Sequence, residues 1–256
     1  MWSFFFLYYI MLPMKKVSII VPCYNEAQDI AKKAEVVKDY LKNNKDYHFD
    51  VVLVNDGSKD NTEEVIKSIE GVKPVTYHPN GGKGHAVREG LRYALEELDS
   101  DYLLFMDADL STDLSAVEKC LSLLEEGNDF VLGSRHDKES DIRIKQPFKR
   151  RFISKCSRII IKSMFHFKKI KDTQCGFKGM KKEVAKVLVD KSKMDGFSFD
   201  VEYLYIVKLR KFSYISFPVI WSDDRGSTVS PLRSSVRFFK DLFKIKRNKK
   251  HYLKDE

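Results

Sequence analysis

Tyr102-Leu103-Leu104-Phe105-Met106-Asp107-Ala108-Asp109 is the stretch around which the rest of this 256-residue chain can be read. Its apolar and aromatic run has the length of a buried strand, and it stops abruptly at two carboxylates with one small residue between them. In an extended backbone Asp107 and Asp109 point to the same side, and Ala108 leaves room between them. Two hard oxygen ligands at the carboxyl end of a central strand form half of a divalent-cation site. Mg2+ takes one or two protein carboxylates and completes its shell with substrate phosphates. The pattern therefore implies a phosphate-bearing substrate in the crevice outside the strand ends of an open α/β sheet. A solvated acidic turn would carry the same short pattern, so the surrounding chain has to decide.

Working outward, strand and helix signals alternate through the first half, as they do in βαβ units with a mostly parallel sheet. Val17 to Val21 reads as a buried strand ended by Pro22, and Ile30, Ala34, Val37 and Leu41 repeat at helical spacing after it. Val51 to Val54 is a second strand running into the turn Asn55-Asp56-Gly57-Ser58. Val65, Ile66 and Ile69 lie on a helix, and a short strand is expected near Val75 to Tyr77. Gly81-Gly82-Lys83-Gly84 opens a helix with Val87, Leu91, Ala94, Leu95 and Leu98 inward. That loop lacks the Gly-Lys-Ser/Thr ending and the spacing of an ATPase phosphate loop. Leu114, Val117, Leu121 and Leu124 follow the acidic strand at helical spacing, and Phe130 to Ser134 is a strand ending in Arg135. Beyond it the chain is less regular. A basic amphipathic segment spans Phe148 to Lys171, a strand is expected over Thr173 to Lys178, a helix over Phe199 to Leu209, and a strand over Ile215 to Trp221. A strongly basic amphipathic helix carries Val236, Phe239, Leu242, Phe243 and Ile245.

The net charge of +9 favours anionic partners: nucleic acid, phosphorylated substrates or an anionic membrane surface. The four cysteines show no metal-ligand or redox spacing and read as reduced thiols of a cytosol-facing protein. Trp2 to Met14 is almost wholly apolar and is followed by Lys15 and Lys16. It is shorter than the roughly 20 residues of a spanning helix and lacks the basic start and cleavage site of a secretory signal. We expect three regions: a hydrophobic leader or membrane anchor over 1–14, one catalytic domain over 15–233, and a basic helix and tail over 234–256.

In this order, each at a strand end, Val21-Pro22-Cys23-Tyr24-Asn25-Glu26, Asn55-Asp56-Gly57-Ser58-Lys59-Asp60 and Asp107-Ala108-Asp109 resemble the marks of glycosyltransferase family 2. These are inverting, nucleotide-sugar-dependent enzymes with a single Rossmann-like domain of the GT-A type. Within the family the chain is most similar to the dolichyl-phosphate β-glucosyltransferase group. That narrower similarity rests on Asn80 to Gly84, Gly133-Ser134-Arg135 with Lys138-Glu139-Ser140, Asp172 to Lys178, and Phe199-Asp200-Val201-Glu202. The resemblance implies transfer of a hexose, glucose from UDP-glucose first among the candidates, to dolichyl or another polyprenyl phosphate. Mg2+ or Mn2+ would be held by Asp107 and Asp109, and Asp107, Asp109 and Arg135 would form the catalytic set.

The resemblance also distributes roles. Pro22, Tyr24, Asn25, Glu26, Asp56, Lys83 and Ala108 are expected around the donor, with Asp56 able to accept from a uracil N3–H or a ribose hydroxyl. Arg225 stands as a cation for the donor phosphates where relatives carry a Lys after the following Ser. Arg135 and Arg151 are expected to clamp the acceptor phosphate, and Asp172 and Gln174 to lie on an active-site loop. A phosphate acceptor, with a second pKa of about 6, needs no general base. A sugar hydroxyl would need one, and Asp172 is then the candidate. A GDP-mannose-dependent mannosyltransferase and a hydroxyl-acceptor enzyme stand beside the first reading, and a noncatalytic basic scaffold is disfavoured by the retained acidic motifs. No nucleic-acid partner is expected. A membrane-associated enzyme with its catalytic domain facing the cytosol is, at the endoplasmic reticulum in a eukaryote or the plasma membrane in a prokaryote. Homo-oligomerisation is left open.

Overall fold

The structure, a computed structural model, describes residues 14–144, 148–167, 170–222 and 231–254, with the side chains of 144–153 and 231–236 outside the description. The leader up to Pro13 and Arg225 lie outside the described residues, and Arg151 is described only as helical backbone.

Among the described residues the first half runs β1 (Lys15–Cys23), α1 (Ile30–Lys42), β2 (Tyr47–Asp56), α2 (Thr62–Ser68), β3 (Val72–Tyr77), α3 (Lys83–Glu96), β4 (Tyr102–Met106), α4 (Ala116–Glu125) and β5 (Phe130–Ser134). The second half continues with β6 (Asp141–Ile144), α5 (Phe148–Phe165), β7 (Phe177–Lys181), α6 (Lys182–Lys191), α7 (Phe199–Leu209), β8 (Tyr214–Pro218), β9 (Ile220–Ser222), α8 (Pro231–Arg247) and α9 (Lys249–Leu253). The described strands form a seven-stranded sheet in the order β3-β2-β1-β4-β7-β5-β8, plus a small parallel pair of β6 and β9.

The strands are apolar on both faces because helices cover both faces. Alternation along each strand sends residues to two separate cores. Ile20, Val52, Val54, Leu103 and Phe105 join one with α3 and α7. Ile19, Val21, Val51, Leu53, Leu104 and Met106 join the other with α1 and α4. The four residues expected inward on α1 (Ile30, Ala34, Val37 and Leu41) are its buried ones.

The second half departs from expectation in three places. β7 begins at Phe177, not Thr173, because residues 172–176 are bonded into the loops of neighbouring strands. β7 also runs antiparallel, wedged between β4 and β5, with Met106 opposite Phe177 and Leu132 opposite Lys178. An antiparallel strand starts at the edge where its parallel neighbours end, so the Asp172 loop arrives beside the ends of β4 and β5. The strand expected over Ile215 to Trp221 splits around Pro218 and Val219 into β8 and β9. At the end of the chain, Leu242, Ile245 and Tyr252 are fully buried in the same core as α7, so α8 and α9 pack against the catalytic unit.

Candidate active site at the carboxyl edge of the sheet

The loops after β1, β2, β4 and β5 and the loop before β7 meet at one edge. Asp107 follows β4 on the parity of Leu103 and Phe105, so its side chain is directed to the face covered by α3 and α7. There Lys83, the first residue of α3, donates from Nζ to Asp107 Oδ1 at 2.5 Å. The Asp107 amide donates to the Gly176 carbonyl at 3.1 Å. A Cβ at Gly176 would overlap the Asp107 carboxylate, so any larger residue there would push that carboxylate out of place.

Asp109 reaches the same corner by a different route from the one expected. The backbone beyond Met106 does not continue as a pleated strand. The Leu110 amide closes a turn onto the Asp107 carbonyl at 3.2 Å, with Leu110 at a φ of 52°. Asp109 accepts from the Ser111 amide at 2.9 Å. Burial, and then the neighbouring Asp107, push its carboxyl up. Burial pushes the Lys83 ammonium down, but Asp107, Asp200 and Asp109 outweigh it and hold it above the ordinary lysine value. Two adjacent carboxylates already neutralised in part by an ammonium fit a divalent cation, with oxygens of a diphosphate to complete the shell. Among the described residues no group of three or more His, Cys, Asp or Glu gathers as a fuller ligand set.

Asp56, at the end of β2, is placed differently from expectation. Its carboxylate accepts from the Tyr77 hydroxyl (2.8 Å), the Asn80 amide (2.9 Å) and the backbone of Gly81 (2.7 Å) and Gly82 (3.0 Å). A carboxylate offers about four acceptor positions, and these partners fill them. Asp56 therefore anchors the 80–82 loop, and a uracil N–H would have to displace one of its own contacts. Gly82, at a φ of 99°, then turns the chain into α3 and sets the root of Lys83.

At the end of β1, Pro22 is still paired in the sheet opposite Val54. Asn25 and Glu26 stitch the β1 and β2 loops together. The Asn25 amide donates to Ser58 Oγ at 3.0 Å, Asn25 Oδ1 accepts from the Lys59 amide at 2.9 Å, and the Glu26 amide donates to Thr62 Oγ1 at 2.9 Å. Tyr24 is 42% exposed beside them, a ring on which a base can stack. Ala108 is buried in the core facing α4 and serves as the spacer of the acidic turn.

Arg135 and Asp172 form a pair that the sequence did not foretell. Arg135 donates from Nε to Asp172 Oδ2 at 2.7 Å, from Nη2 to Oδ1 at 3.0 Å, and from its amide at 3.1 Å. The Gln174 amide donates to Asp172 Oδ1 at 3.1 Å, and the Gln174 carbonyl accepts from Arg135 Nη2, so Gln174 acts through its backbone. The guanidinium also lies over the Trp221 ring. Asp172 is 1% exposed. Burial would raise its carboxyl, but Arg135 overrides this and holds it well below the usual range. A carboxylate so fully occupied is a poor general base, which removes the candidate that a hydroxyl acceptor would require. Arg158 of α5 reaches the same corner, donates to His136, and adds a second guanidinium near Asp172.

Several functional residues went unassigned in the sequence. Lys178 of β7 is fully buried and donates to Asp200 at 2.5 Å and to the Cys175 carbonyl at 2.7 Å. A lysine inside an apolar strand signals a buried acidic partner, but not which one. Asp200 and Glu202, two apart on α7, face opposite ways. Asp200 turns to Lys178 and the site. Glu202 accepts from the amides of Lys193 (2.9 Å) and Met194 (2.8 Å) and from the Tyr252 hydroxyl (2.6 Å), tying the 192–196 loop and α9 to the domain.

A mostly parallel α/β sheet with paired acids, a lysine and half-buried arginines at its carboxyl edge defines a transferase of phosphate-bearing donors. The chain belongs to glycosyl transferase family 2, whose model matches residues 18–189. It is 30% identical over 244 residues to dolichyl-phosphate beta-glucosyltransferase of Dictyostelium discoideum, covering 90% of this chain and 73% of that protein. It is 31% identical over 262 residues to the Homo sapiens protein of the same name, covering 91% and 76%. Among solved structures, glucosyl-3-phosphoglycerate synthase of Mycobacterium tuberculosis, in complex with Mn2+, UDP and glucosyl-3-phosphoglycerate, shares the fold. The TM-score is 0.67 at 16% identity, over 92% of this chain and 80% of that one.

Proposed function

We propose that this enzyme transfers glucose from UDP-glucose, with inversion, to a dolichyl or other polyprenyl phosphate. The observation that carries the acceptor class is the fate of the carboxylates. Asp172 is bound by Arg135, Asp200 by Lys178, and Asp107 and Asp109 are the seat for a metal. None of these is available to take a proton from an alcohol. A phosphate monoester is mostly dianionic above its second pKa of about 6 and attacks without a base. What it needs is positive charge beside an anionic donor, and the Arg135 and Arg158 corner supplies it. The names of the relatives support glucose and dolichyl phosphate.

A Mg2+ or Mn2+ ion at Asp107 and Asp109 would neutralise the departing diphosphate. Tyr24 would flank the base, and Lys83 would meet the donor phosphates. Arg225 and Arg151 keep their proposed roles toward the donor and acceptor phosphates. Membrane association is supported by two basic helices with apolar residues left outward. Ile159 on α5 and Phe243 on α8 are 60% and 63% exposed. Exposed Lys240, Lys244 and Arg247 lie on the helical face of Phe243. Such a face suits anionic headgroups. Among the described residues no helix is long and apolar enough to cross a membrane; the apolar leader is the proposed anchor on its sequence.

The test is a donor screen in detergent with full-length protein, Mn2+ and dolichyl phosphate. UDP-glucose should give lipid-linked β-glucose faster than GDP-mannose or any other nucleotide sugar. A clear preference for GDP-mannose would replace the proposed donor.

A further inference from the structure

We propose that Lys83 is a resident counter-ion at the metal seat, holding Asp107 until a divalent cation arrives together with a diphosphate, and so making metal affinity depend on the nucleotide. This rests on the reading of Asp107 and Asp109 as that seat. The contact occupies one of the two Asp107 oxygens a metal could take. Lys83 Nζ lies 2.5 Å from Asp107 Oδ1. The lysine is not a wandering surface side chain. Its root is set by Gly82, whose amide is held by Asp56, and its side chain is 23% exposed.

The charges around it give the coupling its sign. Asp107, Asp109 and Asp200 surround Lys83, and Lys178 is paired to Asp200. Three carboxylates against two ammoniums leave one formal negative charge. A bare dication would turn this positive while meeting the Lys83 ammonium already seated on Asp107 Oδ1. A dication that brings the two negative charges of a diphosphate diester, or the roughly three of UDP, keeps the total negative. Lys83 then has a new partner, because an ammonium suits a phosphate as well as a carboxylate. By linkage, whatever factor the diphosphate adds to metal affinity the metal must add to diphosphate affinity.

The experiment is Mn2+ binding to the full-length protein, read from the EPR signal of free Mn2+, with and without UDP. Wild type, Lys83→Met, Lys83→Gln and Lys83→Arg are compared. Wild type and Lys83→Arg should bind Mn2+ weakly alone and tighten strongly with UDP. The two neutral variants should bind Mn2+ alone about tenfold tighter than wild type, and their gain from UDP should shrink by a similar factor. Neutral variants that bind Mn2+ alone no tighter than wild type, or that keep the full UDP gain, overturn the role of Lys83 and leave the metal seat standing. Absence of Mn2+ binding in all four proteins, even with UDP, overturns the metal seat and this inference with it.

Discussion

Asp172→Asn is the most informative single change, because it separates a positioning role from a proton-transfer role. The substitution keeps the shape and removes the charge that Arg135 faces. Asp172 is 1% exposed and Arg135 is 21% exposed, so the guanidinium loses its partner in a site that water reaches poorly. Breaking one side of such a pair costs about 3 kcal/mol. With a urea slope of about 3 kcal/mol per molar, the unfolding midpoint should fall by about 1 M at pH 7. Arg135→Gln combined with Asp172→Asn should recover part of that loss, since no buried charge is then orphaned. The sign with pH follows from the depressed carboxyl. The stabilisation is fully present above the unfolded aspartate value of about 3.9 and is lost as pH falls from there toward the folded value. The gap between wild type and variant should therefore be widest near neutrality and close in acid. Turnover should fall no further in the double variant than in Arg135→Ala, because both changes act through one guanidinium. A midpoint within about 0.2 M of wild type, or a gap that widens in acid, would refute the reasoning.

Three further outcomes follow from the same geometry. Asp107→Ala or Asp109→Ala should lower turnover by at least about a hundredfold while the urea midpoint stays near that of wild type, since the metal's charge neutralisation is lost at an edge of the sheet that bears little of the core; near-normal turnover in either, or in excess chelator, contradicts the site. Gly176→Ala should cost turnover on a similar scale, because the new Cβ overlaps the Asp107 carboxylate, and full activity would show that this contact does not matter. Mn2+ binding in the presence of UDP-glucose, whose diphosphate diester has no proton to lose at about pH 6, should weaken on acidification while the pH is still above the ordinary aspartate value of about 3.9, because the Asp109 carboxyl is pushed up and its proton competes with the metal; loss of binding only below that value would contradict the shift.

The parts of this fold that were legible in the sequence are those that depend on local pattern. Strands covered on both faces read as apolar runs, and α1 declared its buried face through Ile30, Ala34, Val37 and Leu41. The end of each run then located Asp107 and Arg135 at the edge where loops converge. What stayed hidden depends on partners distant in sequence. Nothing in Phe177 to Lys181 states that the strand runs backward between β4 and β5, so the meeting of Asp172 with Arg135 could not be read. Asp56 carries the residue type of a ligand-binding acid, yet Tyr77, Asn80, Gly81 and Gly82 occupy it, and only the folded loop reveals that. Lys178 and Gly176 left partial signals, a charge in an apolar strand and a glycine before it, without naming Asp200 or Asp107 as the reason.

The claim that the acceptor is a phosphate dianion attacking without a protein base is tested most directly by comparing two acceptors. Full-length enzyme is given UDP-glucose and Mn2+ with either dolichyl phosphate or the corresponding alcohol, dolichol, and lipid-linked glucose is measured across pH. The account predicts product with the phosphate alone, formed at a rate that rises through about pH 6 as the acceptor loses its second proton. Product from dolichol at a comparable rate, abolished in Asp172→Asn, would contradict it and assign a base to Asp172.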